Sequence, residues 1–233
     1  MPVLYAIPAP LGGPPERVLP PATAERLRSL RDFVAENPKS ARAMLAALGM
    51  PCALREISLQ RLDENTPVAE VPALLEPLRQ GRALGLLPEA GCPAVADPGA
   101  LLIEAAYREG FRVAPLVGPS SIVLALMASG LDGQRFAFCG YLPRDRRERQ
   151  RRVRELEQRS RRARETQIFI ETPYRNQALL EALLETCAPQ TRLCIASDLT
   201  LPTEQIGTQT IAGWRRARAT PGKRPAVFLL LSA

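Results

Sequence analysis

Apolar positions along the chain fall into short continuous runs separated by stripes of helical period. Val3 to Ala9 is such a run, closing on Pro8-Ala9-Pro10-Leu11-Gly12-Gly13, the pattern of a buried strand followed by a tight loop. A helix around Thr23 to Leu30 and a short strand Phe33-Val34-Ala35 come next. Over Ser40 to Gly49, Ala41, Met44, Leu45 and Leu48 recur at i, i+3, i+4 and i+7, and Gly49 supplies the stop, so an amphipathic helix is predicted. Strand Ala53 to Ser58 with helix Glu70 to Gln80, and strand Ala83 to Leu87 with helix Ala100 to Glu109, continue the alternation up to strand Arg112 to Leu116. Alternating strands and helices with short links predict an α/β fold with a mainly parallel sheet covered on both faces.

The second half has a different texture. After Gly118-Pro119 a helix is expected over Ser120 to Ser129, then strand Arg135 to Gly140, an arginine-rich segment, strand Thr166 to Ile170 and helix Gln177 to Cys187. Strand Arg192 to Ser197, the segment Thr203 to Gly207, a short helix near Ile211 to Arg218 and strand Ala226 to Leu231 follow, which together suggest a mixed sheet. A boundary near Leu116 to Pro119 divides the chain into an N-terminal α/β domain, residues 1–116, and a C-terminal α/β domain, residues 117–233, with no long linker and no internal repeat.

Length and composition narrow the class. A chain of 233 residues with 46% hydrophobic content can bury a sizeable core and fold alone. No run approaches the roughly 20 apolar residues that cross a bilayer, and Met1 to Ile7 is too short and uncharged for a secretory signal, so a soluble cytoplasmic protein without membrane partners is expected. Cys52, Cys92, Cys139, Cys187 and Cys194 are scattered without a CxxC pair and read as small buried hydrophobes. Histidine is absent altogether, which excludes Ser-His-Asp and Cys-His nucleophile systems and removes the commonest catalytic zinc ligands. No metal site is expected.

The net charge of +7 is localised. Arg144 to Arg164 contains eleven arginines against Asp145, Glu148, Glu155 and Glu157, and 11 − 4 accounts for the whole excess. Only Val153 and Leu156 are large and apolar there, so a helix over this stretch would bury a narrow stripe. Two readings stay open, a solvated charge-laced helix or a clamp for phosphates through Arg147, Arg151, Arg154 and Arg161.

Three Gly/Pro clusters sit at the carboxyl ends of predicted strands, where ligands bind in open α/β sheets: Pro8 to Gly13, Glu89 to Gly99 and Val117 to Ser121. Glycines let a backbone approach a ligand, and Ser120-Ser121 opening a helix offers N–H groups to an anionic group. Each cluster can equally be mere turn punctuation. None is a GxGxxG or GxxxxGK[ST] loop, so nucleotide hydrolysis and ordinary nicotinamide chemistry lose support.

These segments resemble the tetrapyrrole methylase superfamily, and within it the branch of ribosomal RNA ribose 2′-O-methyltransferases. Leu4 to Gly12, Glu89-Ala90-Gly91-Cys92-Pro93-Ala94-Val95-Ala96-Asp97-Pro98-Gly99, Pro115 to Ser121, Ala128 to Leu131, Phe136 to Pro143 and Glu171-Thr172-Pro173-Tyr174-Arg175 carry the likeness in order and spacing. The resemblance implies two α/β domains with S-adenosylmethionine in the cleft between them, within a homodimer. It places Pro8, Gly12, Ala96, Asp97, Pro98, Gly99, Ser120, Ser121, Thr172 and Pro173 around the cofactor.

The chain departs from that branch on the acceptor side. Glu36-Asn37-Pro38-Lys39 stands where the branch carries Glu-Asp-Thr-Arg, Leu59 to Asn65 lacks its histidine, and the sequence stops at Ala233 without the further helical module. Methyl transfer from a sulfonium is an in-line displacement dominated by positioning, so neither histidine nor metal is required. Glu36, Lys39, Asp97, Glu171 and Asp198 are candidates for assisting a hydroxyl acceptor, with Glu36 and Lys39 favoured by their place in the motif; capping and turn-shaping are the alternative roles. Arg175 is a candidate phosphate contact. An RNA methyltransferase leads over a small-molecule tetrapyrrole methylase and over a non-catalytic cofactor- or RNA-binding protein.

Overall fold

The structure is a computed structural model that describes residues 2–218 and 220–232. It divides into two compact units, Met1–Ser120 and Ser121–Ala233.

In the first unit five parallel strands, β1 (Val3–Ala6), β2 (Asp32–Ala35), β3 (Ser58–Arg61), β4 (Leu84–Leu87) and β5 (Arg112–Pro115), lie in the order β3-β2-β4-β1-β5. Alternation along the strands divides the core. Ile7, Phe33, Ala35 and Leu87 pack with Leu27 of α1 (Pro21–Arg28) and with Ala41, Met44, Leu45 and Leu48 of α2 (Pro38–Leu48). Leu4, Val34, Leu84 and Leu86 pack with Val71 and Leu75, with Leu78 of α3 (Glu76–Arg79) and with Leu102, Ala105 and Ala106 of α4 (Gly99–Arg108). Both faces of the parallel sheet are therefore covered, as the near-continuous apolar strands require. Asn37 caps α2 by accepting the Lys39 and Ser40 N–H groups, Pro38 occupies the first turn, and Gly49 ends the helix in the left-handed conformation at φ 68°.

Two predicted elements take other forms. The expected strand Ala53 to Ser58 is a 3-10 turn over Leu54–Glu56, and β3 begins only at Ser58, because the Glu56 and Ile57 N–H groups bond locally to Ala53 and Leu54. The expected helix Glu70 to Gln80 is a 3-10 run, Val68–Leu75, followed by the single turn α3, since Pro72 and Pro77 lack the N–H groups that an uninterrupted α-helix needs.

The second unit is a mixed sheet in the order β6-β7-β10-β8-β9, built from β6 (Phe136–Tyr141), β7 (Thr166–Glu171), β8 (Arg192–Ser197), β9 (Gln205–Thr210) and β10 (Ala226–Leu231). β6 and β7 are parallel, while β10 runs antiparallel to β7 and β8, and β9 to β8. One face carries α6 (Arg146–Ala163), α7 (Asn176–Thr186) and α8 (Ile211–Ala217), joined to Phe169 and Phe228 through Val153, Leu156, Leu179, Leu180, Leu183 and Trp214. Helix α5 (Ser121–Ser129) buries Ala125 and Ser129 and leaves Val123 and Met127 exposed. Of the cysteines, Cys187 and Cys194 are buried, Cys52, Cys92 and Cys139 are half-buried, and all five are free thiols.

Candidate functional site

The three Gly/Pro loops follow the adjacent strands β4, β1 and β5 and interlock at one end of the first sheet. The connection from β1 runs to β2 across β4, and that from β4 runs to β5 across β1, so with right-handed crossovers they occupy opposite faces and leave a crevice at the strand ends. Ala9 and Gly91 form an antiparallel bridge, Ala9 N–H donating to Gly91 at 2.9 Å and Gly91 N–H to Ala9 at 3.0 Å, with Gly91 at φ 73°. A Cβ on Gly118 would stand 2.5 Å from Pro8 Cβ, so only glycine lets the third loop lie against the first. The Cys92 thiol donates to Pro119 O at 3.5 Å, and Thr23 Oγ1 donates to Val117 O at 2.7 Å. The loops that carry Pro8 and Gly12, Ala96 to Gly99, and Ser120 are thus packed together through Pro8, Ala9, Gly91, Cys92, Gly118 and Pro119. The Gly118–Pro8 contact was not singled out from sequence, although the Gly-Pro dipeptide at a strand end marked the place.

Within the long loop Asp97 organises the backbone. Its carboxylate accepts the Ala94 N–H at 2.9 and 3.0 Å and the Gly99 N–H at 2.7 Å, holding Ala94 and Ala96 at φ 65° and 63°. A Cβ on Gly99 would meet Asp97 Oδ1 at 2.7 Å. Burial pushes the Asp97 carboxyl up from its ordinary range, against the pull of these two N–H groups. The turn-shaping role is the one this geometry displays, since both carboxylate oxygens are engaged by the loop itself.

At the end of β2 the Glu36 carboxylate accepts the Glu89 N–H at 3.0 Å, and Asn37 Nδ2 donates to the Glu89 carboxylate at 3.2 Å. Burial raises the Glu36 pKa, the Glu89 N–H opposes the rise, and the negative charges of Asp97, Glu89 and Asp63 add to it. The cap of α2 is Asn37, so Glu36 is not engaged in capping. Lys39 lies exposed in the first turn of α2, and no ion pair joins it to Glu36 among the described residues.

In the second unit the end of β7 carries Glu171-Thr172-Pro173-Tyr174-Arg175. The side chain of Glu171 is fully buried; one of its oxygens accepts the Thr172 N–H at 2.7 Å and forms an ion pair with the Arg175 guanidinium, whose Nε donates to Thr172 Oγ1 at 3.2 Å. Arg175 therefore turns inward to tie its own loop, which is a different commitment from a free phosphate contact. Thr172 and Pro173 are half-buried.

Residues 4–213 match the family described as Tetrapyrrole (Corrin/Porphyrin) Methylases. The chain belongs to that family. Among its relatives, the Ribosomal RNA small subunit methyltransferase I of Xylella fastidiosa (strain Temecula1 / ATCC 700964) is 32% identical over 209 residues, covering 90% of this chain and 72% of the relative. The crystal structure of the methyltransferase CobJ superposes with a TM-score of 0.65 at 22% identity, over 100% of this chain and 94% of that one. Uroporphyrin-III C-methyl transferase from Thermus thermophilus, complexed with S-adenyl homocysteine, superposes with a TM-score of 0.58 at 17% identity, over 100% of this chain and 98% of that one. As a tetrapyrrole methylase the chain is an S-adenosylmethionine-dependent methyltransferase.

The first-unit loops fit such a cofactor. They are lined by backbone and small residues, and residues 8–13, 89–99 and 117–121 contain acids but no lysine or arginine, as suits a sulfonium cation. No group of three or more His, Cys, Asp or Glu residues poised for a metal ion occurs among the described residues.

The arginine-rich segment is the 18-residue helix α6. Its inner stripe is Arg149, Val153, Leu156 and Ser160, with Arg149 donating to Pro143 O and Arg144 O. Sequence patterning had singled out only Val153 and Leu156 as inward-facing. Arg147, Arg151, Arg154 and Arg161 are exposed at i, i+4, i+7 and i+14, and so share the outer face. Arg146, Arg152 and Arg159 pair with Glu185, Glu155 and Glu165. Among the described residues no helix is long and apolar enough to cross a membrane.

Proposed function

We propose that this tetrapyrrole methylase transfers a methyl group from S-adenosylmethionine to a ribose hydroxyl of small-subunit ribosomal RNA, acting as a homodimer in the cytoplasm. The name carried by its 32%-identical relative supports the RNA acceptor. The single observation that carries the reading on this chain is α6, whose outer face presents Arg147, Arg151, Arg154 and Arg161 in one line. Over 14 residues at about 1.5 Å rise that line extends roughly 21 Å, long enough to meet several phosphates of one strand. A bound S-adenosylmethionine supplies the electrophilic methyl group.

The residues divide the remaining work. Asp97, Pro98 and Gly99, with Pro8, Gly12, Ala96 and Ser120, hold the cofactor loops of the first unit. Glu36, whose burial and acidic neighbours raise its proton affinity, accepts the proton of the attacking hydroxyl. Lys39, exposed at the start of α2, lowers the cost of the developing oxyanion. Departure from the Glu-Asp-Thr-Arg pattern leaves these two as the acid–base pair of the motif.

A second copy of the chain finds support in α5, which is apolar on every side yet leaves Val123 and Met127 exposed, and in the edge strand β6, where Phe136 and Tyr141 are exposed. The deciding experiment offers labelled S-adenosylmethionine to the protein with total-cell RNA, protein and small metabolites in separate fractions. Label in small-subunit RNA is the expected result; label confined to the small-metabolite fraction would replace the RNA acceptor with a tetrapyrrole-like one.

A further inference from the structure

Asn37 uses both ends of its amide. Its Oδ1 accepts the Lys39 and Ser40 N–H groups at 3.0 and 3.4 Å and so caps α2, while its Nδ2 donates to Glu89 Oε1 at 3.2 Å. The Glu89 N–H in turn donates to Glu36 Oε2 at 3.0 Å. Glu36 is the covalent neighbour of Asn37, so the three residues close a ring: the peptide from Glu36 to Asn37, the amide to the Glu89 carboxylate, and the Glu89 backbone to the Glu36 carboxylate. The Glu36 N–H, which donates to Leu87 O at 3.1 Å, fixes the main chain on which that ring is built. Glu36 Oε2 is taken up by the ring, and Oε1 makes no hydrogen bond among the described residues.

Capping alone does not call for asparagine here. Aspartate and asparagine cap helices about equally well, and both carry the oxygen that α2 uses. Only the amide has a donor left for Glu89, whereas a carboxylate would set acceptor against acceptor. The surroundings sharpen the difference. Asp97, Glu89 and Asp63 already act on Glu36 with negative charge, Arg61 is paired with Asp63, and Lys39 lies exposed on α2. Asn37 thus ties the segment together without adding a further charge. From this ring we infer that Asn37 is a positioning residue for methyl transfer: it holds the Glu89 side chain, and through it the Glu89 N–H, against Glu36 Oε2, which leaves Oε1 to the acceptor hydroxyl. The inference rests on Glu36 acting as the base.

Asn37→Asp separates the two roles, since it keeps the capping oxygen and loses the donor. Two measurements read the result. One is the titration of the Glu36 carboxyl by nuclear magnetic resonance, its signal identified by loss in Glu36→Gln; the other is the pH–rate profile of methyl transfer to small-subunit ribosomal RNA. The added carboxylate should move the titration and the rising limb to higher pH, because a like charge disfavours ionisation. Turnover should fall about fivefold, the scale of one hydrogen bond. Asn37→Asp/Glu89→Gln reverses the bond, the new amide donating to the new carboxylate, and restores the original charge, so both readouts should return toward the parent. A residue that only caps α2 predicts parental behaviour from Asn37→Asp, and that result overturns the inference, as does a defect that Glu89→Gln fails to rescue. If Asn37→Asp does not fold, Asn37→Ser serves, since its shorter side chain can cap α2 but cannot also reach Glu89; unchanged turnover in that variant overturns the inference equally. Glu36→Gln with a parental pH–rate profile would refute Glu36 as the base, a failure distinct from that of Asn37, because the carboxyl titration is read on the protein without substrate.

Discussion

The Glu36 carboxylate accepts the backbone N–H of Glu89 at 3.0 Å, which fastens the end of β2 to the loop that follows β4. That bond favours the ionised carboxylate, yet burial and the charges of Asp97, Glu89 and Asp63 prevail, and the Glu36 pKa lies above its ordinary 4.5. A base poised in this way keeps its proton to a higher pH than an unperturbed glutamate does. Its proton affinity is closer to that of the alcohol whose proton it must share in the transition state.

Methyl transfer should accordingly rise with pH along a limb whose pKa exceeds 4.5, and Glu36→Gln should abolish that limb and cut turnover by about a hundredfold or more. S-adenosylhomocysteine affinity should stay within a few-fold, as should that of a Glu36→Ala/Lys39→Ala double variant that loses turnover. Linkage gives a second readout. The folded protein holds the Glu36 proton above 4.5, where the unfolded chain has released it, so this group costs stability as pH rises from 4.5 through the folded value. Thermal melts of Glu36→Gln should show a smaller decline across that window. Parallel pH–rate profiles for variant and parent would remove Glu36 from the chemistry.

Much of this was readable beforehand. Ala41, Met44, Leu45 and Leu48 announced α2, and the Gly/Pro clusters announced the loops, because helical period and strand-end punctuation are local signals. Long-range closeness leaves no such trace. Nothing in the sequence says that Gly118 meets Pro8, or that Glu36 reaches Glu89 across 53 positions. Pro72 and Pro77 were visible, but the apolar residues around them suit a 3-10 run as well as an α-helix. Arg149 reads as one more surface charge until its bonds to Pro143 and Arg144 show it folded under the helix start.

Asp97→Ala should destabilise the protein by about 2 kcal/mol, since two backbone N–H groups lose a charged acceptor, and should weaken cofactor binding by freeing Ala94 and Ala96 from positive φ. Asp97→Asn, which keeps one acceptor oxygen, should retain most of the stability. Denaturant melts and calorimetry on both variants are the check, and equal affinity in all three proteins would place the cofactor elsewhere.

Gly118→Ala should impair cofactor binding at least tenfold, because the added methyl would stand 2.5 Å from Pro8 Cβ and force the first and third loops apart. Gly133→Ala, with nothing within 4 Å of the new carbon, is the control and should be silent. Matching affinities for the two variants would show that these loops do not hold the ligand.

Met127, 75% exposed on the apolar helix α5, should matter to self-association. Met127→Glu is expected to shift sedimentation toward the monomer while leaving far-ultraviolet circular dichroism unchanged. An unaltered dimer, or a wild-type monomer at micromolar concentration, would remove α5 from the interface.

The arginine line on α6 makes the most quantitative prediction. The remainder of the chain sums to zero charge, so attraction for a polyanion originates in residues 144–164. Several arginines there are already committed: Arg149 inward, and Arg146, Arg152 and Arg159 to carboxylates. The outer line is less committed, for Arg147 and Arg154 form no ion pair among the described residues, Arg161 donates to Ser232 Oγ at 3.4 Å, and Arg151 stands 4.0 Å from Glu155. Exposed ion pairs of that kind contribute about 1 kcal/mol or less, so a phosphate can displace them readily. Each phosphate neutralised on a single strand contributes about −0.7 to the slope of log affinity against log salt. Replacing Arg147, Arg151, Arg154 and Arg161 by Gln should therefore flatten that slope by about two to three units on ribosomal RNA and leave S-adenosylhomocysteine affinity unchanged. A merely solvated helix predicts identical slopes for both proteins, and filter binding across a salt series separates the two. Identical slopes would detach α6 from RNA recognition and make a small anionic acceptor the better reading.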